Sequence, residues 1–212
     1  MMSRKLIVAL AASLAVGGAA SAQDWDGFYV GAMAGSAQFS TLIDASGYLV
    51  DYSDSQFLVG GLAGYNYQIG QYVVGVEGDY QSGSGIDPVE PNVDNFLWAG
   101  PLSVATIRAR VGVVNGNVLI YGTGGYASGT VMTAQEAVFN PSDYEEASAP
   151  ISGLVFGGGA EIMFKDGWSA RGEYRVYQFN DTDVIVMPSP YVGRTLNDIG
   201  YSEILLSVIR HF

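Results

Sequence analysis

The chain has 212 residues, of which 49% are hydrophobic and only 14% are charged, and its formal net charge at pH 7 is −12. Such an acidic chain repels nucleic acid, so a nucleic-acid partner is excluded. The absence of cysteine excludes disulfides, thiolate metal sites and a lipoprotein anchor.

Residues 1–22 are predicted to be a cleaved secretory signal peptide. Arg4 and Lys5 form a positive start, an apolar run follows, and Ala20 to Ala22 match the A-x-A pattern of a cleavage site. The apolar run is too short to cross a bilayer as a helix. We therefore expect an exported protein with a single domain at 23–212.

Eight segments with alternating hydrophobicity follow the predicted signal peptide. A period of two indicates β-strands, and the 29 glycines disfavour long helices. A membrane chain without apolar helices must form a closed barrel, because unpaired backbone is costly in hydrocarbon. The predicted strands are 27–39, 56–68, 72–81, 103–113, 118–130, 151–164, 168–179 and 201–212.

Short and long connections alternate strictly between these segments. The short ones carry turn signals, such as Asn115-Gly116 and Asp166-Gly167. Small outer-membrane barrels have this layout. The pattern predicts an all-β fold: an eight-stranded antiparallel up-and-down transmembrane β-barrel with short periplasmic turns and four long extracellular loops.

Several strands separate polar from apolar residues by parity. In 103–113, Ile107 and Ala109 alternate with Thr106, Arg108 and Arg110. The lumen of an eight-stranded barrel is narrow and must be filled by side chains, so we predict that the charged faces point inward. For 27–39 and 118–130, glycine and alanine dilute the pattern and the outward face is undecided. The predicted lumen charge network consists of Glu77, Asp79, Arg108, Arg110, Glu161, Arg171, Glu173, Arg175 and Glu203.

Aromatic residues end the apolar faces beside the short turns, where membrane barrels carry an interfacial girdle. The predicted girdle consists of Tyr67, Tyr72, Phe164, Trp168 and Phe212. In the last strand, Ile204, Leu206, Val208 and the terminal Phe212 share one face, as in the closing strand of an outer-membrane barrel.

Motifs along most of the chain support this interpretation. They lie at 25–31, 60–68, 74–80, 106–112, 121–125, 157–161 and 168–175. Together they resemble the porin-like, OmpA-type β-barrel family of Gram-negative outer membranes. The resemblance implies location in the outer membrane, contact with its lipid and lipopolysaccharide, and recognition of the C-terminal strand by the barrel-insertion machinery. Arg210 departs from the family pattern, which usually has an aromatic residue at that position.

The function favoured by these features is structural: envelope integrity combined with surface interaction. The first alternative is a narrow porin-like channel for small solutes or ions, because the arginine–carboxylate lumen could form a polar gate. The second is a soluble periplasmic ligand-binding barrel with an apolar interior. A lipid hydrolase is disfavoured because no serine–histidine set is visible and the single histidine, His211, is predicted to lie at the periplasmic rim.

The long connections carry most of the acidic residues, including Asp143, Glu145 and Glu146. Their spacing lacks the pattern of a dedicated cation loop, so no metal site is predicted. Their aromatic residues, among them Tyr48, Trp98 and Tyr144, make an extracellular partner a second expectation. No cofactor is predicted, since the G-x-G-x-x-A motif at 122–127 precedes no helix.

Overall fold

The computed structural model describes residues 24–45, 48–84, 97–136, 144–180, 182–184 and 194–212. The predicted signal peptide lies outside the described residues, as do the side chains of the acidic and aromatic residues predicted in the long connections. Within the described part of the chain, no helix combines the length and apolar character needed to cross a membrane.

Nine strands make up the described structure. They are β1 (Gly27–Ala45), β2 (Tyr48–Ile69), β3 (Tyr72–Ser84), β4 (Leu97–Asn115), β5 (Val118–Glu136), β6 (Tyr144–Met163), β7 (Trp168–Phe179), β8 (Thr182–Val184) and β9 (Arg194–His211). Sequence neighbours pair antiparallel from β1 to β7, β7 pairs with β9, and β9 pairs back to β1. Eight strands therefore close into a barrel, as predicted, while the short β8 pairs with the outer part of β9.

The strands run further than the sequence pattern predicted. β1 continues to Ala45 and β2 starts at Tyr48, so most of the predicted connection between them is paired strand. β5 and β6 likewise remain paired out to Glu136 and Tyr144. Alternating hydrophobicity marks only the segment with one apolar face, whereas backbone pairing needs no such alternation.

The short connections are tight turns with glycine in the left-handed region. Gly70, Gly116 and Gly167 have φ values of 62°, 63° and 72°. Gly116 belongs to the turn predicted from Asn115-Gly116, and a single 3₁₀ turn, Lys165–Gly167, joins β6 to β7. We call this end of the barrel the short-turn end and the opposite one the long-connection end.

Polar residues face inward and apolar residues face outward on the strands where the sequence separated them. On β4, Ile107 is 67% exposed whereas its neighbour Arg108 is 1% exposed. The two undecided strands are now resolved: β1 turns Tyr29 and Met33 inward, and β5 turns Leu119 and Tyr121 inward.

Two apolar clusters also lie inside the barrel. The short-turn cluster consists of Trp25, Val73, Val114, Leu119, Tyr121 and Met163. The long-connection cluster is larger and includes Met33, Leu58, Leu62, Val104, Val155, Tyr177, Phe179, Tyr201 and Leu205. The interior is thus not uniformly polar, and the charged residues occupy the space between apolar groups.

Candidate functional site in the barrel lumen

All nine residues of the predicted charge network lie inside the barrel, and each is at most 7% exposed. β3, β4 and β7 carry seven of them, while β6 and β9 carry Glu161 and Glu203. Neutral neighbours join the network, namely Tyr29, Gln81, Thr106, Tyr121, Thr123 and Tyr177.

Arg108 lies at the centre of the network. Its guanidinium donates to Glu77 and Glu173, and it also bonds Asp79 at 2.9 Å. Thr106 and Thr123 accept further bonds, each at 3.1 Å. A planar fork with five donors can satisfy several acceptors at once, which explains why arginine occupies this position.

Arg175 continues the network towards the long-connection end. Its Nη1 lies 3.2 Å from both Asp79 and Glu203, and its Nε donates to Glu173 at 2.9 Å. Glu203 also accepts bonds from the Tyr177 hydroxyl at 2.5 Å and the Gln81 amide at 2.6 Å. The network contains five carboxylates but four arginines. The neutral donors around Glu203 help to stabilise this additional negative charge.

Arg171 and Arg110 form the part nearest the short-turn end. Arg171 bonds Glu77 at 2.6 Å and Glu161 at 3.0 Å, and Arg110 bonds Glu161 at 3.1 Å. The Arg110 guanidinium carbon lies 4.1 Å from the centre of the Tyr121 ring, a cation–π contact.

Inward glycines make room for these large side chains. A Cβ at Gly125 would overlap Arg108, and one at Gly64 would overlap the Tyr29 ring. The glycine-rich composition noted in the sequence therefore has a packing role, because the lumen cannot hold long side chains at every inward position.

His211 is the last residue of β9, at the short-turn end where it was predicted, but its side chain points into the lumen and is buried. It is 7% exposed and packs against the rings of Trp25 and Tyr29, with centroids 5.5 and 5.4 Å away. Its Nε2 lies 2.8 Å from Glu161 and 3.2 Å from the Ser169 hydroxyl. Sequence reasoning missed this group because its members come from β6, β7 and β9.

This serine–histidine–glutamate group lacks the arrangement of a catalytic triad. Ser169 donates to Glu161 at 2.6 Å, and the carboxylate can only accept, so we assign a proton to His211 Nε2. A protonated nitrogen cannot remove the serine proton. The opposite nitrogen, Nδ1, has no hydrogen-bond partner among the residues the structure describes.

Trp25 fills the lumen at the short-turn end, although it precedes the first strand. Its side chain is fully buried, and its backbone N–H donates to the Gln68 side chain at 2.8 Å. Asp26 accepts the Gln68 backbone N–H at 2.9 Å, which fixes this segment against β2. Within the described ranges, no three potential metal ligands cluster.

The residues of the predicted girdle lie on the outer surface beside the short turns. They are Tyr67 (55% exposed), Tyr72 (55%), Phe164 (52%), Trp168 (49%) and Phe212 (74%). The bands between them and the long-connection end are apolar, with Ile107, Leu206 and Val76 all more than half exposed.

Comparisons with known proteins agree with this architecture. A family model described as outer membrane protein beta-barrel domain matches residues 6–212. The 22 kDa outer membrane protein of Rhizobium leguminosarum bv. viciae is 32% identical over 170 residues, covering 77% of this chain and 69% of that protein. The 31 kDa outer-membrane immunogenic protein of Brucella melitensis is 29% identical over 194 residues, covering 82% and 79%.

One solved structure supports the fold alone. The outer membrane protein OprG from Pseudomonas aeruginosa aligns with a TM-score of 0.50 at 16% sequence identity, covering 88% of this chain and 97% of OprG.

Proposed function

The chain belongs to the outer membrane protein β-barrel domain family, and from that premise we propose that it is a closed structural barrel that supports the envelope. In this proposal its long connections face the cell exterior and contact surface partners. The barrel itself is an outer-membrane protein, as its relatives are.

The observation that carries the proposal is the way Arg108 ties the lumen together. It joins carboxylates from β3 and β7 across the interior. Arg171 and Arg175 extend these links to β6 and β9. Because buried charges need fixed partners, such a network favours a filled and rigid lumen over a free aqueous path.

The outer surface supports the expected lipid partners. Its apolar band and girdle suit the hydrocarbon and interfacial regions of a bilayer, with the short-turn end in the periplasm. Lipid and lipopolysaccharide would then surround the barrel. We keep recognition of β9 by the barrel-insertion machinery as part of the proposal, supported by the outward Ile204, Leu206 and Val208.

The surface-interaction role rests on the relatives. The Brucella protein is named immunogenic. By analogy, we propose that the long connections of this chain are accessible at the cell surface. Their acidic composition favours a partner with basic or cationic groups.

A narrow porin-like channel is the second candidate. Arg108 and Arg175 each contact more than one carboxylate, so an exchange of partners offers a physical route to opening. A soluble periplasmic barrel is disfavoured, because the relatives are outer-membrane proteins. We also propose that the protein is not an enzyme, since the arrangement at His211 and Ser169 cannot activate a nucleophile.

Conductance in a planar bilayer separates the two candidates. A structural barrel gives a silent bilayer for the wild type, whereas steady single-channel steps would support the channel. Arg108→Ala is compared with the outward variant Ile107→Ala, and each is first checked by the gel shift between unboiled and boiled samples. The structural proposal is overturned if the wild type shows conductance steps and if the size of these steps changes in Arg108→Ala but not in Ile107→Ala.

A further inference from the structure

A groove of about 570 Å³ runs along the outer surface beside β7. Ala170 and Gly172 of β7 form part of its floor, with Ile162 of β6 on one side. Leu206 and Val208 of β9 lie on the other side, and the lining continues beyond them to Ala32 and Ala34 of β1. These residues are neighbours in register: Ala170 pairs with both Ile162 and Val208, and Gly172 pairs with Leu206. The groove is therefore a continuous depression on the surface that faces lipid.

The groove lies within one lipid leaflet, and its lining covers about three residues along each strand, such as 170–172 on β7. On the floor strand it is bounded by Trp168 and Tyr174, which are 49% and 51% exposed. Six residues of strand span about 20 Å, and a tilt of roughly 40° reduces this to a depth of about 15 Å. This depth is half of the hydrocarbon core of about 30 Å. The groove between these two aromatic residues is shorter than this depth and fits part of one acyl chain of the leaflet at the short-turn end.

Arg210 lies directly below the groove. It pairs in register with Trp168, two residues beyond the Ala170–Val208 pair and on the same face of the sheet. Its guanidinium carbon lies 5.8 Å from the centre of the Trp168 ring and 5.6 Å from that of Phe212. Two aromatic residues of the predicted girdle thus hold this cation at the depth of lipid headgroups.

The turn between β6 and β7 fixes the position of the guanidinium. Arg210 Nη1 donates to the backbone carbonyl of Asp166. A Cβ at Gly167 would overlap the same nitrogen, so the glycine makes room for it. Asp166 is itself exposed and places a carboxylate at the same rim. This edge of the barrel thus presents the Arg210 guanidinium, which has the geometry to bind a phosphate, beside the Asp166 carboxylate.

We propose that the groove and Arg210 form a binding site for one phospholipid of the periplasmic leaflet. Its acyl chain lies in the groove, its phosphate binds Arg210, and the ammonium of a zwitterionic headgroup faces Asp166. The site rests on the outer-membrane location of the barrel and does not depend on whether the lumen conducts.

A second copy of the chain fits the groove less well. Two barrels in one membrane have the same orientation, so a two-fold interface through the groove would place both Arg210 side chains at the same depth. Like charges at close distance oppose such a contact, whereas the phosphate of a lipid neutralises the arginine.

Native mass spectrometry of the mature barrel tests the site. The protein is reconstituted into nanodiscs of equimolar phosphatidylethanolamine and phosphatidylglycerol and then released into detergent. Wild type should retain one phosphatidylethanolamine. Arg210→Ala should retain it about tenfold less, since it loses a charge-assisted hydrogen bond. Ala170→Trp, which fills the floor, should also lose it.

Ala109→Trp is the matched control, because Ala109 faces outward on β4, across the barrel from β9. It should retain lipid like the wild type, and the gel shift on boiling shows that every variant is folded. Equal retention by wild type and Arg210→Ala, or preferential retention of phosphatidylglycerol, would overturn the proposal. If the mass of a dimer is observed for the other proteins and is lost only in Ala170→Trp, the groove binds a second copy of the chain, and the proposal is also overturned.

Discussion

Two groups of strands line the lumen with different kinds of side chain, and the first group includes β3 and β7, which lie opposite each other in the barrel. On β3, β4 and β7 the inward positions carry the interlocked charges around Arg108, whereas on β1 and β2 they carry Met33, Leu58 and Leu62. A charge in the interior needs partners at fixed distances and angles, while apolar packing depends mainly on volume. We call the inward charges of β3, β4 and β7 the charged wall and the inward apolar residues of β1 and β2 the apolar wall. Substitutions in the charged wall should be tolerated only if they keep both charge and geometry. Substitutions in the apolar wall should be tolerated if they keep the volume of the side chain.

The largest expected effect is on the charged wall. Arg108→Met leaves Glu77, Asp79 and Glu173 without their shared partner, and we expect a loss of about 3–5 kcal/mol in the free energy of unfolding. Urea titration of the barrel in lipid vesicles, followed by tryptophan fluorescence, measures it. Adding Glu173→Gln should restore part of the loss. If Arg108→Met alone is as stable as wild type, the network does not hold the lumen together.

On the apolar wall the expected loss comes from a cavity. Leu58 is 2% exposed, and Leu58→Ala should cost about 2–4 kcal/mol in the same titration. Leu154→Ala is the matched control, since Leu154 is 49% exposed on the outer face, where lipid can fill the space. Equal losses for the two variants would mean that Leu58 is not packed inside the barrel.

Conservative substitutions sharpen the difference between the walls. Arg108→Lys keeps the charge but loses the planar fork, and we expect a cost of about 2–3 kcal/mol. Leu58→Met keeps the volume of the side chain and should cost less than about 1.5 kcal/mol. The two unfolding free energies are compared under identical conditions, and a reversed order would contradict the distinction.

Tyr177 belongs to both regions and should show the smallest effect. Its hydroxyl donates to Glu203, while its ring stacks on Phe179 at 5.4 Å and contacts Tyr201 at 4.9 Å. Tyr177→Phe removes only the hydroxyl and should cost about 1 kcal/mol, because Arg175 and Gln81 still bond Glu203. Tyr177→Ala should cost clearly more in the same titration. Equal costs would show that the ring contributes nothing.

The charged wall could be predicted from sequence, whereas the apolar wall could not. Arg108 and Glu77 are conspicuous because their strands alternate charged with apolar residues. Met33 is an apolar residue on β1, where glycine and alanine weaken the alternation, so nothing local marks it as inward. The structure decides its side through pairing with the neighbouring strands.

The sequence by itself determined the strand order, the short turns and the inward face of the charged strands, because these depend on a period of two and on local turn chemistry. Only the tertiary structure decided which residues meet at one height in the barrel. Glu161, Ser169 and His211 meet because three strands pair in a particular register, and the groove beside Arg210 arises in the same way. Parity specifies a face of a strand, and only the register between strands specifies a level along the barrel axis.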